Sequence, residues 1–179
     1  SDVCSSDLPV MKTTDENGRD HFKGHAIASE QIAKTVMKRL KFDNDTIRKV
    51  TKLVAYHDYR MEPTGANVRR AMHEIGVELF PYYLAVRLAD TKAQSSYERR
   101  GKLENIIQIR ELYRNALRNK ECVTLKDLAV TGTDLINLGI APGKKLGTLL
   151  NELLDMVIED PAWNQKGKLC DYVKERFGF

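Results

Sequence analysis

The sequence predicts an all-α protein, in which a helical region is followed by a small helical tail. From Gly24 onward, apolar residues recur at the three- and four-residue spacing of amphipathic helices. No long stretch alternates apolar and polar residues, as half-buried strands would. Glycine and proline fall between the periodic segments, where they predict short connections. With 179 residues, 42% of them hydrophobic, the chain can bury the core of one globular unit or two small ones.

Four helices are predicted in the first half of the chain. The apolar positions that mark the first two are Ile27, Ile32, Val36 and Leu40, and then Ile47, Val50, Leu53 and Val54. Asp43 and Asn44 precede the second helix, where their side-chain oxygens can cap its first amides. A loop over residues 60–65 leads to a short helix at 67–75 and a longer one at 78–94. Pro81 falls in the first turn of the latter, where a missing amide costs little.

The second half begins with the most basic helix of the chain, at residues 97–120, which carries seven Lys or Arg against three Glu. Arg110, Arg114 and Arg118 recur every four residues and form one stripe, which suits a phosphate backbone. A solvated helix face is the alternative interpretation of the same pattern. Small elements with turns near Thr131 follow, and then helices at 144–158 and 166–176.

Composition narrows the class of protein. The net charge of +4 and the isoelectric point near 8.9 permit a polyanionic partner without requiring one. Three cysteines without a CxxC pair exclude a zinc ribbon and fit reduced thiols. No apolar run is long enough to span a bilayer, and no signal peptide is visible. We therefore expect a cytoplasmic protein with no membrane partner.

The first eight residues, SDVCSSDL, differ from the rest of the chain. They lack an initiator Met and any periodicity, so we interpret residues 1–8 as non-native and leave them out of the fold prediction. The remaining chain is expected to begin in the middle of a protein and to be a fragment. Its predicted division is a helical region over residues 9–97 and a tail over residues 98–179.

One group of candidate residues has the chemistry of a metal site. His25 lies at the start of one predicted helix, His57 and Asp58 at the end of the next, and Asp90 on a third. Helical bundles bind divalent metals in this way, with one ligand from each helix, and a metal-bound water can attack a phosphate. The alternative is that these histidines are hydrogen-bonded structural groups.

A second group lies in GIAPGKKLGTLL, residues 139–150. Two short helices joined by a turn would present the start of the second helix, whose first amides have no partner within the helix. The helix dipole, Lys144 and Lys145 would attract a phosphate there, and Gly143 would let it approach closely. Ordinary capping is the alternative, with Gly139 ending one helix and Gly147 making a close packing contact.

Two blocks of the sequence resemble one family. DENGRDHFKGHAIASEQIAKTVMKRLKFDNDTIRKVTKLVAYHD and VRLADTKAQ are similar to HD-family helices, and more closely to the stretch that follows the HD dipeptide in bacterial CCA-adding tRNA nucleotidyltransferases. DLAVTGTDLINLGIAPGKKLGTLLNELLDMVIEDPAWNQKGKL resembles the C-terminal segment of the same enzymes. The resemblance implies an HD-like region and a tail with a helix-turn-helix element that binds tRNA backbone.

The same resemblance implies what the chain would lack. The His-Asp pair of the metal site would lie just before Pro9, so that His25, His57 and Asp90 form an incomplete site for a divalent metal. The nucleotide-transferring head, with its Mg²⁺, would also be missing, and we expect no CTP or ATP transfer by this chain alone. Two other functions stay open: a free-standing HD phosphohydrolase and a helical protein-interaction module.

Overall fold

The computed structural model describes residues 13–14, 20–21, 25–93 and 99–178, and over these residues the protein is all-α, as predicted. The side chain of His25 lies outside the described part, as do residues 1–8 and 94–98. The helices in chain order are α1 His25–Arg39, α2 Asn44–Tyr56, α3 Gly65–Ile75, α4 Phe80–Ala93, α5 Arg99–Arg118, α6 Gly132–Asn137, α7 Lys144–Glu159 and α8 Lys166–Phe177, with a 3-10 turn at Pro161–Trp163.

The only strands among the described residues are two short ones of two residues each, which pair with each other. Strand β1, Thr13–Thr14, runs antiparallel to β2, Asp20–His21, with Thr13 opposite His21. Such a pair is too short to form a sheet with a core of its own, so it leaves the all-α class unchanged.

Two helix starts differ from the prediction. Helix α3 begins at Gly65, two residues earlier than expected, and α4 begins at Phe80, two residues later. The sequence predicts that Gly65 belongs to a loop, because glycine disfavours helices. In the fold, a β-carbon on Gly65 would lie 3.0 Å from a guanidinium nitrogen of Arg69, so the glycine makes room for that side chain.

The chain forms two compact units. The first comprises residues up to Met61 and Ile75–Gln108, and the second comprises Glu62–Glu74 and Ile109–Phe179. Helix α5 thus contributes its first half to one unit and its second half to the other. A domain boundary between residues 97 and 98 stays a prediction, because both residues lie outside the described part.

The first unit is built on a hairpin of α1 and α2, with α2 also packed against α4. Asp43 caps α2 as predicted, since its side chain accepts from the Thr46 amide at 2.9 Å. The rings of Phe80 and Tyr83 on α4 are fully buried. The Tyr83 hydroxyl donates to the Tyr59 carbonyl at 2.6 Å, and this bond holds the chain that leaves α2 against α4.

The second unit has an apolar core, to which α7 contributes more buried residues than any other described element. The buried core residues are Cys122, Leu128, Val130, Leu135, Ile140, Leu149, Leu153, Leu154, Val157, Ile158, Leu169 and Val173. On α7 they recur at helical spacing, which is the pattern from which the helix is predicted. Asp160 ends α7 and caps the following 3-10 turn through the Ala162 amide at 2.9 Å.

A buried arginine holds the second unit together. Arg69 on α3 donates to the carbonyls of Ile158 at 2.7 Å and Glu159 at 3.0 Å, which are acceptors that the end of α7 leaves unpaired. Its third contact is an ion pair of 2.8 Å with Glu121. The side chain is only 9% exposed, so nearly all of its hydrogen bonding is within the protein.

Candidate functional site

The start of α7 is open, as the sequence predicts for a phosphate site. The residue before the helix is Gly143, at φ 133° and ψ −161°, and no side chain caps the first turn. A β-carbon on Gly143 would meet nothing within 4 Å, although its φ lies in the region that favours glycine. Lys144 and Lys145 follow as exposed side chains. The first amides of α7 are thus accessible from outside and flanked by two positive charges.

The other two glycines of the segment 139–150 have different roles. Gly139 follows the end of α6 at φ 100°, and the amide of Ile140 donates to the Leu135 carbonyl, so Gly139 is an ordinary helix-ending glycine. Gly147 lies inside α7, where a β-carbon would meet nothing within 4 Å. The interpretation of Gly147 as a close packing contact is therefore wrong, as far as the described residues are concerned.

Helix α6 is fixed by a capping box. The Thr131 side chain accepts from the Asp134 amide, and the Asp134 carboxylate accepts from the Thr131 amide at 2.8 Å. The sequence predicts a turn at Thr131 and Gly132 and a short helix that ends near Gly139. In the fold the same residues start a helix, because threonine followed three residues later by a carboxylate satisfies two unpaired amides. Lys166 on α8 also contacts the Asp134 carboxylate at 2.5 Å.

These contacts give a prediction for the ionisation of Asp134. The hydrogen bond from Lys166, followed by those from Thr131, lowers the pKa of the carboxyl from 3.8 to about 2. Because the pKa of Asp134 is lower in the folded state, the ionised carboxylate stabilises the fold above pH 3.8. This stabilisation is lost as the pH falls toward 2. We expect Lys166→Met to raise the pKa, as measured by carbon NMR titration, and Lys168→Met to leave it unchanged. An unaltered midpoint in Lys166→Met would contradict the assignment.

The predicted arginine stripe lies on the part of α5 that belongs to the second unit. Arg114 is paired with Glu111 at 2.6 Å, and Arg118 donates to the Asn115 side chain at 2.9 Å. Arg110 is half-buried and makes no ion pair within the described part of the chain. Two of the three guanidinium charges are therefore left without a carboxylate there.

The predicted metal ligands are brought together only in part. His57 and Asp90 line one small cavity of the first unit, with Asp58, Arg60, Arg87, Thr91 and Lys102 as the other lining residues. Its volume of about 30 Å³ holds roughly two water molecules. The Nδ1 of His57 donates to the Val54 carbonyl at 2.6 Å, so this nitrogen is not available to a ligand.

The described residues of this cavity do not fit a divalent metal. No group of three His, Cys, Asp or Glu side chains with metal-binding geometry occurs in the described part of the chain. The cavity also has three basic lining residues, one of which, Arg60, already pairs with Asp58 at 3.1 Å. Cationic neighbours oppose the binding of a further cation. A contribution from His25 stays a prediction, because its side chain is not described.

Sequence reasoning missed the basic residues of the cavity and the role of Arg69. Arg87 is three residues before Asp90, so helical spacing alone would place both on one face of α4. Arg69 gave no such signal, because its partners are 52 to 90 residues away.

Comparison with known proteins identifies the family. Residues 25–173 match the family described as tRNA nucleotidyltransferase domain 2. No curated protein and no solved structure gives a significant match. Among the described helices, none is long and apolar enough to cross a membrane. Since the match extends over most of the chain and includes both units, the chain belongs to the tRNA nucleotidyltransferase domain 2 family.

Proposed function

We propose that the chain binds tRNA, as the C-terminal part of a bacterial CCA-adding nucleotidyltransferase. Its helix-turn-helix element, α6 to α7, would hold a phosphate of the RNA backbone at the start of α7. Gly143, Lys144 and Lys145 would form that site, and Arg110, Arg114 and Arg118 would contact further phosphates. Family membership supports a tRNA partner, and the open, doubly cationic helix start supports a backbone contact.

The observation that carries this proposal is the open space beside Gly147, a glycine inside α7. A glycine within a helix costs about 0.8 to 1 kcal/mol relative to alanine. No contact within the described residues requires that cost, since a β-carbon would point into open space. Gly147 is in the first turn after Gly143 and the two lysines, so the absent side chain leaves room for a ligand beside the same helix start. An RNA backbone needs such close approach.

Catalysis would reside elsewhere in the parent enzyme. In this proposal a nucleotidyltransferase head with Mg²⁺ adds nucleotides to the tRNA 3′ end in the cytoplasm, and the present chain orients the tRNA. No reaction step is assigned to the cavity at His57 and Asp90, because its described residues do not fit a metal.

Gly147→Ala tests the proposal with two opposite effects. We expect the free energy of unfolding to rise by about 0.5 to 1 kcal/mol, because alanine favours the helix and meets no neighbour. We expect tRNA affinity to fall by roughly fivefold, because the new methyl group obstructs the backbone. Urea denaturation and fluorescence anisotropy with labelled tRNA measure the two quantities.

The matched control is Gly167→Ala on α8, where a β-carbon also meets nothing within 4 Å. It makes the same chemical change outside the proposed site, so tRNA affinity should stay constant. If Gly147→Ala binds tRNA as tightly as the unaltered chain, the phosphate site at α7 is refuted.

A further inference from the structure

An open groove lies on the surface of the second unit, beside the 3-10 turn and α8. It has a volume of about 450 Å³ and is lined by Trp163 and Tyr172, with Asp160, Ala162, Lys168, Asp171 and Glu175 around them. The two aromatic rings meet edge to face, with centroids 6.2 Å apart and planes at 75°. Both residues are half-buried, so part of each ring remains accessible. The size is in the range of ligand-binding clefts, roughly 300 to 1,000 Å³.

The rim of the groove is acidic. Three carboxylates, Asp160, Asp171 and Glu175, oppose the single ammonium of Lys168. That ammonium donates to the Ala162 carbonyl at 2.9 Å and is thereby held at one end. Asp171 makes an exposed pair of 3.3 Å with Lys174, whereas Glu175 makes no ion pair or hydrogen bond within the described part. A surface with accessible aromatic rings and excess carboxylate attracts cations, which the ring faces also bind.

This charge is opposite to that of the elements assigned to RNA. The chain as a whole carries +4, and the start of α7 and the arginine stripe are basic. Phosphates would be repelled by the three carboxylates, so RNA does not suit the groove. A protein segment bearing Lys or Arg suits it, because tryptophan and tyrosine form the energetic centre of many interfaces and the acidic rim would pair with the basic side chains.

We propose that the groove at Trp163 and Tyr172 docks a basic segment of a partner protein. Aliphatic parts of Lys or Arg side chains would lie on the two rings, and their charges would reach Asp171 and Glu175. This function is independent of tRNA binding, since it uses α8 and the 3-10 turn instead of the start of α7.

Trp163 is the only tryptophan in the chain, so its fluorescence reports on the groove directly. The probe is a short peptide of Lys, Arg, Ser and Gly, which has no aromatic residue of its own. We expect saturable changes in Trp163 emission and in the anisotropy of a labelled copy of the peptide, both weakened by salt. A peptide with Glu in place of each basic residue should produce neither change.

One double variant and one control distinguish binding in the groove from general attraction to acidic side chains on the surface. The double change Asp171→Asn, Glu175→Gln should weaken peptide binding by about three- to tenfold, as expected for two exposed ion pairs. Asp155→Asn, an exposed acid of α7 outside the groove, should have no effect. The proposal is overturned if no saturable signal is seen, if the acidic peptide binds equally well, or if the double variant binds as the unaltered chain does. Circular dichroism confirms that each variant is folded.

Discussion

Arg69→Met should lower the free energy of unfolding of the second unit by roughly 3 kcal/mol. The substitution keeps much of the side-chain volume and removes three interactions at once. The carbonyls of Ile158 and Glu159 lose their donor, and the Glu121 carboxylate, 18% exposed, loses its counter-ion. Removing one partner of a buried pair costs more than the pair itself contributes, because the other groups remain buried without compensation.

The neighbouring residue offers a matched control. Arg70 pairs with the Glu159 carboxylate at 3.0 Å, but the two side chains are 48% and 65% exposed. Arg70→Met should therefore cost under about 1 kcal/mol. Urea denaturation of both variants measures the difference. Equal losses would show that the burial of Arg69 does not give it a special role in the second unit.

The double change Lys144→Ala, Lys145→Ala should weaken tRNA binding by at least about tenfold at 0.1 M salt. Each lost phosphate contact removes counterion release, so the slope of log affinity against log salt should become shallower by about 0.7 to 0.9 per contact. Stability should change by under about 0.5 kcal/mol, because both side chains are exposed and neither caps the helix. Anisotropy titrations across a range of salt concentrations give both values.

The control is a second double variant with the same net charge as Lys144→Ala, Lys145→Ala. Lys34 and Lys38 are exposed on α1, and Lys34→Ala, Lys38→Ala removes two positive charges in the first unit. This variant should keep most of the affinity and the salt slope. If the two double variants behave alike, the effect is one of total charge, and the specific contact at α7 is refuted.

Local pattern was enough to predict the helices. The apolar residues of α2 and α7 recur at helical spacing, and Asp43 marks a helix start that the structure confirms. The starts of α3 and α4 shifted by two residues. At α3 the helix includes Gly65, where a β-carbon would crowd the guanidinium of Arg69 four residues further along the same helix.

The open start of α7 could also be predicted, since its glycine, its lysines and its helix are neighbours in sequence. The role of Gly147 could not, because only the fold shows whether a β-carbon there would meet another residue. The same limit applies to Trp163 and Tyr172, which are nine residues apart and meet through the turn into α8. Contacts between separate helices depend on packing that no local pattern encodes.

The most direct test of the proposed function is equilibrium binding of the unaltered chain to a labelled tRNA that lacks its 3′ CCA. Unstructured RNA of the same length is the competitor, and each titration is repeated over a range of salt. We expect saturable tRNA binding, weaker competition by unstructured RNA than by unlabelled tRNA, and a linear fall of log affinity with log salt. Absence of binding at low salt, or equal competition by unstructured RNA, would contradict a tRNA-binding function for this chain.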